Sequence, residues 1–95
     1  MPRNALVPVD DTDWTQLTAN DVSELSFQFQ EGHLLYVAAT NGETKPAAAF
    51  TGYQYGFQEG EALMSLADFF PGVSGANRVW ARTANGSASV MVSHA

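Results

Sequence analysis

The sequence predicts an all-β fold: a small antiparallel β-sandwich or barrel of about six to seven short strands, with an extended N-terminal arm and one short helical turn. Three observations predict it. Apolar and polar residues alternate in several short runs, most clearly in VSELSFQFQ (22–30). Glycine- and asparagine-bearing turn signals recur roughly every eight to twelve residues. Helical patterning is confined to one short stretch, too little for a parallel α/β architecture. At 95 residues the chain fits one domain with a small core.

Residues 1–13 read as the arm and residues 14–95 as a single β domain. Pro2 and Pro8 argue against ladder pairing or helix in the arm. Its apolar residues Ala5, Leu6, Val7 and Val9 suit a segment lying along a neighbour, with a loose tail as the alternative. Asp10, Asp11 and Asp13 form a solvated acidic exit. On this reading, removing residues 1–12 leaves the β domain folded and weakens binding.

In VSELSFQFQ, Leu25, Phe27 and Phe29 share one face, and Ser26, Gln28 and Gln30 share the other. Glu31-Gly32 offers a turn. LLYVAAT (34–40) is apolar on both faces and is expected to be a central strand, ended by Asn41-Gly42. TKPAAAF (44–50) reads as a loop. TGYQYGF (51–57) alternates again and places Tyr53, Tyr55 and Phe57 on one face; Gly52 and Gly56 mark a bulge or a close backbone approach. Glu59-Gly60 is a further turn signal.

In SLADFF (65–70), Ser65 followed by Asp68 resembles a capping box, so one helical turn is expected, stopped by Pro71-Gly72. NRVWART and SASVMVS then flank Asn85-Gly86, which predicts a hairpin with a two-residue type I′ turn. That register puts Val79, Ala81, Val90 and Val92 on a core face. Trp80, Arg82 and Met91 fall on the opposite face.

Composition narrows the function classes. Ten acids against four bases give a formal net charge of −6. Nucleic acid is therefore not expected as a partner, although Arg78 and Arg82 lie close together. The absence of cysteine excludes disulfides, thiolate metal sites and a cysteine nucleophile. The N-terminus lacks the apolar run of a signal peptide, and no stretch approaches the roughly 20 apolar residues of a membrane span.

No catalytic, cofactor-binding or metal-ligating residue is assigned. His33, beside a turn, and His94, next to the C-terminus, read as exposed polar residues. Glu59 and Glu61 read as a solvated turn rather than an acid pair. No phosphate-binding, dinucleotide-binding or nucleophile-elbow motif occurs. Trp14, Tyr53, Tyr55, Phe57 and Trp80 could form a sugar platform, but aromatic anchors at a protein interface fit a small acidic β domain better. The candidate partner-binding residues are Leu6, Val7 and Val9 of the arm and Trp80, Arg82 and Met91 of the C-terminal strands.

LADFFPGVSGANRVWARTANGSASVMVSHA (66–95) resembles the tail of small tailed-bacteriophage proteins with an FPGV-GA-RVWA…G…V-VSHA pattern. WTQLTANDVSELSFQFQEGHLLYVAAT (14–40) is similar to their W-xx-LT-x-D…Q…VYV-A pattern. TGYQYGF and the arm lie outside the resemblance. It implies a virion structural protein of the capsid decoration (cement) type, without cofactor. Such a protein is made in the host cytoplasm, binds the major capsid protein on the capsid surface, and often forms homotrimers. Another virion role, at the head–tail junction or in the tail, and a carbohydrate-binding β module are the alternatives.

Overall fold

The computed structural model describes residues 2–32, 34–47 and 50–95. Their strands are β1 (Arg3–Val9), β2 (Thr15–Gln16), β3 (Glu24–Glu31), β4 (Leu34–Thr40), β5 (Tyr53–Gly56), β6 (Gly60–Ser65), β7 (Arg78–Thr83) and β8 (Ala88–His94). One short helix, α1 (Leu66–Phe69), follows β6. The strands form two four-stranded sheets, ordered β1-β8-β3-β6 (sheet A) and β2-β7-β4-β5 (sheet B). All pairings are antiparallel. The fold is thus the predicted all-β, sandwich-like class.

Between the sheets lies one core. Leu25, Phe27, Phe29, Val90 and Val92 reach it from sheet A, and Leu35, Val37, Val79 and Ala81 from sheet B. The alternation of β3 sets which side chains enter, because a strand turns successive side chains to opposite faces. β4 sits between β7 and β5, as its two apolar faces predict. Leu35, Val37 and Ala39 enter the main core, while Ala38 joins a second cluster with Trp14 and Trp80. At α1, the Ser65 hydroxyl caps the first turn by accepting from the Asp68 backbone N–H at 3.4 Å. Gly52 marks the close backbone approach its sequence position suggests: its φ is +70°, and a Cβ there would collide with the Val37 carbonyl oxygen.

Four expectations are corrected. Residues 1–13 are not a detached arm. β1 pairs along its length with β8, from Arg3 opposite His94 to Val9 opposite Ala88. Val7 and Val9 are buried in the core. Pro2 precedes the strand, and Pro8 stands on an edge strand, where alternate N–H groups face away from the sheet and a proline is tolerated.

The Asn85-Gly86 hairpin does not form. β7 belongs to sheet B and β8 to sheet A, so residues 84–87 are a corner between sheets. Gly86 has φ +77°, but Asn85 is not in the left-handed region, as a type I′ turn requires. The N-terminal segment holds this corner. The Thr83 N–H donates to the Asp10 carbonyl at 3.1 Å, and the Gly86 N–H to the Asp11 carboxylate at 2.9 Å. Val79 and Ala81 still meet Val90 and Val92, but from opposing sheets.

The turn expected at Glu59-Gly60 lies earlier, closed by the Glu59 N–H on the Gly56 carbonyl, with Gln58 at φ 68°. Gly60 already belongs to β6. Finally, His94 is not an exposed terminal residue; it is 8% exposed in β8. His33 lies outside the described residues, as do Ala48 and Ala49 of the expected 44–50 loop.

Candidate binding surface

A sandwich offers two outer sheet faces and its open ends. In this chain the two faces differ. On the outside of sheet B, alternation along β7 turns Arg78, Trp80 and Arg82 outward, and β4 adds Tyr36 and Ala38. Yet Trp80 is only 4% exposed, because the chain covers it. Trp14 packs beside it, and the Trp14 indole N–H donates to the Ala47 carbonyl at 3.1 Å. The Trp80 indole N–H donates to the Thr40 hydroxyl at 2.8 Å. The Arg82 guanidinium lies 5.0 Å from the Trp14 ring centroid, a cation–π contact.

Ion pairs among the described residues also lie around this side. Lys45 pairs with Asp13, and Arg78 with Asp21 at 2.7 Å and Glu43 at 3.5 Å. The Lys45 contact and the Trp14 N–H hold the Asp13 carboxyl below the usual carboxylate range. Asp10 is lowered by bonds from the Thr12 hydroxyl and N–H. The Asp21 carboxylate raises the Arg78 guanidinium further. These exposed pairs fasten the covering segments without adding much stability.

At one open end, the Tyr55 ring meets Phe27 edge-on at 5.0 Å between centroids, and its hydroxyl donates to Glu61 at 3.3 Å. Burial, assisted by the Glu61 carboxylate, pushes the Tyr55 hydroxyl well above its ordinary value, so it stays protonated as the donor. Tyr53 donates to the Phe69 carbonyl at 2.7 Å. Tyr53 is 48% and Phe57 57% exposed, but Tyr55 is buried. Trp14 and Trp80 sit on the outside of sheet B. The five aromatics therefore do not make one platform for a sugar.

The outside of sheet A is bare. Two rows cross it: Asn4, Ser93 and Ser26, ending near Leu63, whose N–H donates to the Ser26 hydroxyl; and Leu6, Met91, Gln28 and Gly60. A third row, Pro8 and Ser89, ends at Glu31. Glu24 and Glu31 stand at the two ends of β3, and the rows between carry no ionisable side chain. Leu6 is 54% and Leu63 71% exposed. A shallow concavity of about 380 Å³ opens over Gln28, Gly60, Ala62, Met91 and Ser93. Gly60, on its rim, lets β6 approach β3 closely, since a Cβ there would collide with the Phe27 carbonyl oxygen.

The structure divides the sequence-derived candidates. Leu6 and Met91 are brought side by side on the outside of sheet A. Val7 and Val9 are core residues and reach no outer surface. Trp80 and Arg82 lie on the opposite side of the molecule from Met91, so the expected Trp80–Arg82–Met91 face does not exist. That expectation depended on the hairpin register, which the crossing between sheets removes.

Leu63 was not anticipated. β6 carries a bulge opposite Ser26, where the pairing shifts from Leu25–Met64 to Phe27–Glu61. Leu63 occupies the bulge with φ 51°. The extra residue destroys the two-residue period of EALMS, so no alternation announces the strand.

Among the described residues, no group of three or more His, Asp or Glu side chains could hold a metal ion. No helix of the described residues is long and apolar enough to cross a membrane. No protein-family model, curated protein or solved structure matches the chain.

Proposed function

We propose that this protein is a non-enzymatic decoration (cement) protein of a tailed-phage capsid. It binds the outer surface of the assembled major capsid protein lattice, with copies associating as trimers, and stabilises the head. One structural observation supports a docking role. The sandwich covers the outside of sheet B with its own Trp14 and 41–47 segments and leaves the outside of sheet A open. A rigid two-sheet body with one open, largely regular face is suited to lying on a larger protein surface. The virion assignment itself rests on the resemblance of residues 14–40 and 66–95 to small phage structural proteins.

The test is to mix purified protein with undecorated cognate heads and image them. Added density on the outside of the shell, together with a raised disruption temperature of the heads, is the expected result. Density confined to the portal or tail, or no association, overturns the reading.

A further inference from the structure

We infer that the outer face of sheet A is the surface applied to the shell, and that it docks without ionic contacts, through Leu6, Met91 and Leu63 around the concavity at Gly60. The inference rests on the decoration reading.

The distribution of charge selects this face. The chain carries −6 overall, yet the rows from Asn4 to Leu63 and from Leu6 to Gly60 contain no ionisable side chain. In the concavity, the one ionisable lining residue is Glu61, whose carboxylate accepts from the Tyr55 hydroxyl. Removing an unpaired charge from water is unfavourable, so a face meant to be desolvated gains from having none. The exposed leucines are otherwise out of place on an open sheet, whose outward positions are ordinarily polar. They stand on the edge strands β1 and β6, with Met91 and Gln28 between them.

Size decides the occupant. Four strands about 4.8 Å apart, each about seven residues long at about 3.3 Å per residue, span roughly 400 Å² in plan. Even with the corrugation of its side chains, such a face falls short of the ~800 Å² of accessible surface each partner contributes to a standard stable interface. Two free copies stacked on this face alone would therefore associate weakly. A shell presents its surface in fixed repeats, and copies joined through other surfaces would dock several such faces at once. The occupant is therefore an uncharged patch on the shell, not a second copy.

Two substitutions test this with little risk to the fold. Leu6→Lys places a solvated side chain on an edge strand, where lysine is well tolerated. Leu63→Asp fits the left-handed backbone at that position better than leucine does. Gln54→Lys, on the exposed outer side of β5, serves as the control. Shell binding of all four proteins is measured by co-sedimentation at ~50 and ~500 mM NaCl, with thermal unfolding and sedimentation velocity on the free proteins.

Both face variants, although opposite in charge, are expected to weaken shell binding at least about tenfold, with Gln54→Lys unchanged. Wild-type binding is expected to change less than about threefold across the salt range, and the free oligomeric state to be the same in all four. Opposite effects of the two variants, or a steep salt dependence, would overturn non-ionic docking. Unchanged binding by both would overturn the choice of face. Altered oligomerisation in the variants would make a second copy the occupant. Failure of the wild type to bind shells would instead remove the decoration reading.

Discussion

At the level of single residues, His94 shows what a sequence position conceals. Its ring Nε2 accepts the Ala19 backbone N–H at 3.0 Å. Beside it, the Arg3 guanidinium donates to the Leu17 carbonyl at 3.0 Å. The last strand is therefore fastened to the loop after β2. Replacing His94 with Ala deprives a partly buried N–H of its acceptor and is expected to reduce stability by about 1–3 kcal/mol in urea unfolding. Glycines provide a second contrast. Gly52 and Gly86 both have positive φ, but a Cβ at Gly52 strikes the Val37 carbonyl whereas at Gly86 it meets nothing within 4 Å. Gly86→Ala is expected to cost about 1 kcal/mol, from backbone conformation alone. Gly52→Ala is expected to cost clearly more, because β5 must also move off β4. Equal effects on unfolding midpoints would show that the close approach is not rigid.

At the level of elements, β1 carries the clearest consequence. Removing residues 1–12 takes Val7 and Val9 from the core and uncovers the full edge of β8. Two fully buried valines are together worth on the order of 3–6 kcal/mol, before any loss of ladder hydrogen bonds. This is comparable with the whole stability of many small domains, about 5–15 kcal/mol. The truncated chain is therefore expected to lose its cooperative thermal transition, seen by near-ultraviolet circular dichroism. A sharp, native-like transition would return β1 to the status of an arm.

The segment that follows β1 has a pH signature. Asp10 and Asp13 bind protons less readily when folded than the usual 3.8, Asp10 through its Thr12 bonds and Asp13 chiefly through Lys45. Their contribution is thus present above the unfolded value and lost as pH falls through the lower folded values. Tryptophan fluorescence is expected to report loosening around Trp14 only below about pH 4. Lys45→Ala is expected to move the onset to higher pH. Coincident profiles for the two proteins would show that the Asp13–Lys45 pair does not fasten this segment.

For the whole molecule, the order of connections matters most. Successive strands change sheet at every link except β4 to β5. Nearly all pairings are therefore distant in sequence, and loop closure must precede the contacts that reward it. Folding is expected on the millisecond-to-second scale typical of all-β domains rather than in microseconds, and stopped-flow tryptophan fluorescence measures it. Trp14 and Trp80 are suited to the task, since both are buried in one cluster on the outside of sheet B and come from segments distant in sequence.

Much of the inside was legible in the sequence. The alternation in 22–30 identified Leu25, Phe27 and Phe29 as core, and the apolar run 34–40 identified a central strand. The aliphatic residues Val79, Ala81, Val90 and Val92 were recognisable as buried, and Ser65 as a helix cap. These features depend on local periodicity and backbone chemistry, which neighbouring residues specify. Tertiary structure alone decided which strand pairs with which. Asn85-Gly86 has the local chemistry of a hairpin, but β7 and β8 gain more by each lying between two other strands, in different sheets. Pro2 and Pro8 suggested an arm, but an edge position removes the objection to Pro8 and lets Val7 and Val9 enter the core. The candidate surface followed the same rule. Alternation marks a residue as inward or outward from its sheet, but not which sheet it leaves. Leu6 and Met91 therefore became neighbours, and Trp80 moved to the far side, only when pairing across the whole chain assigned β1 and β8 to one sheet and β7 to the other.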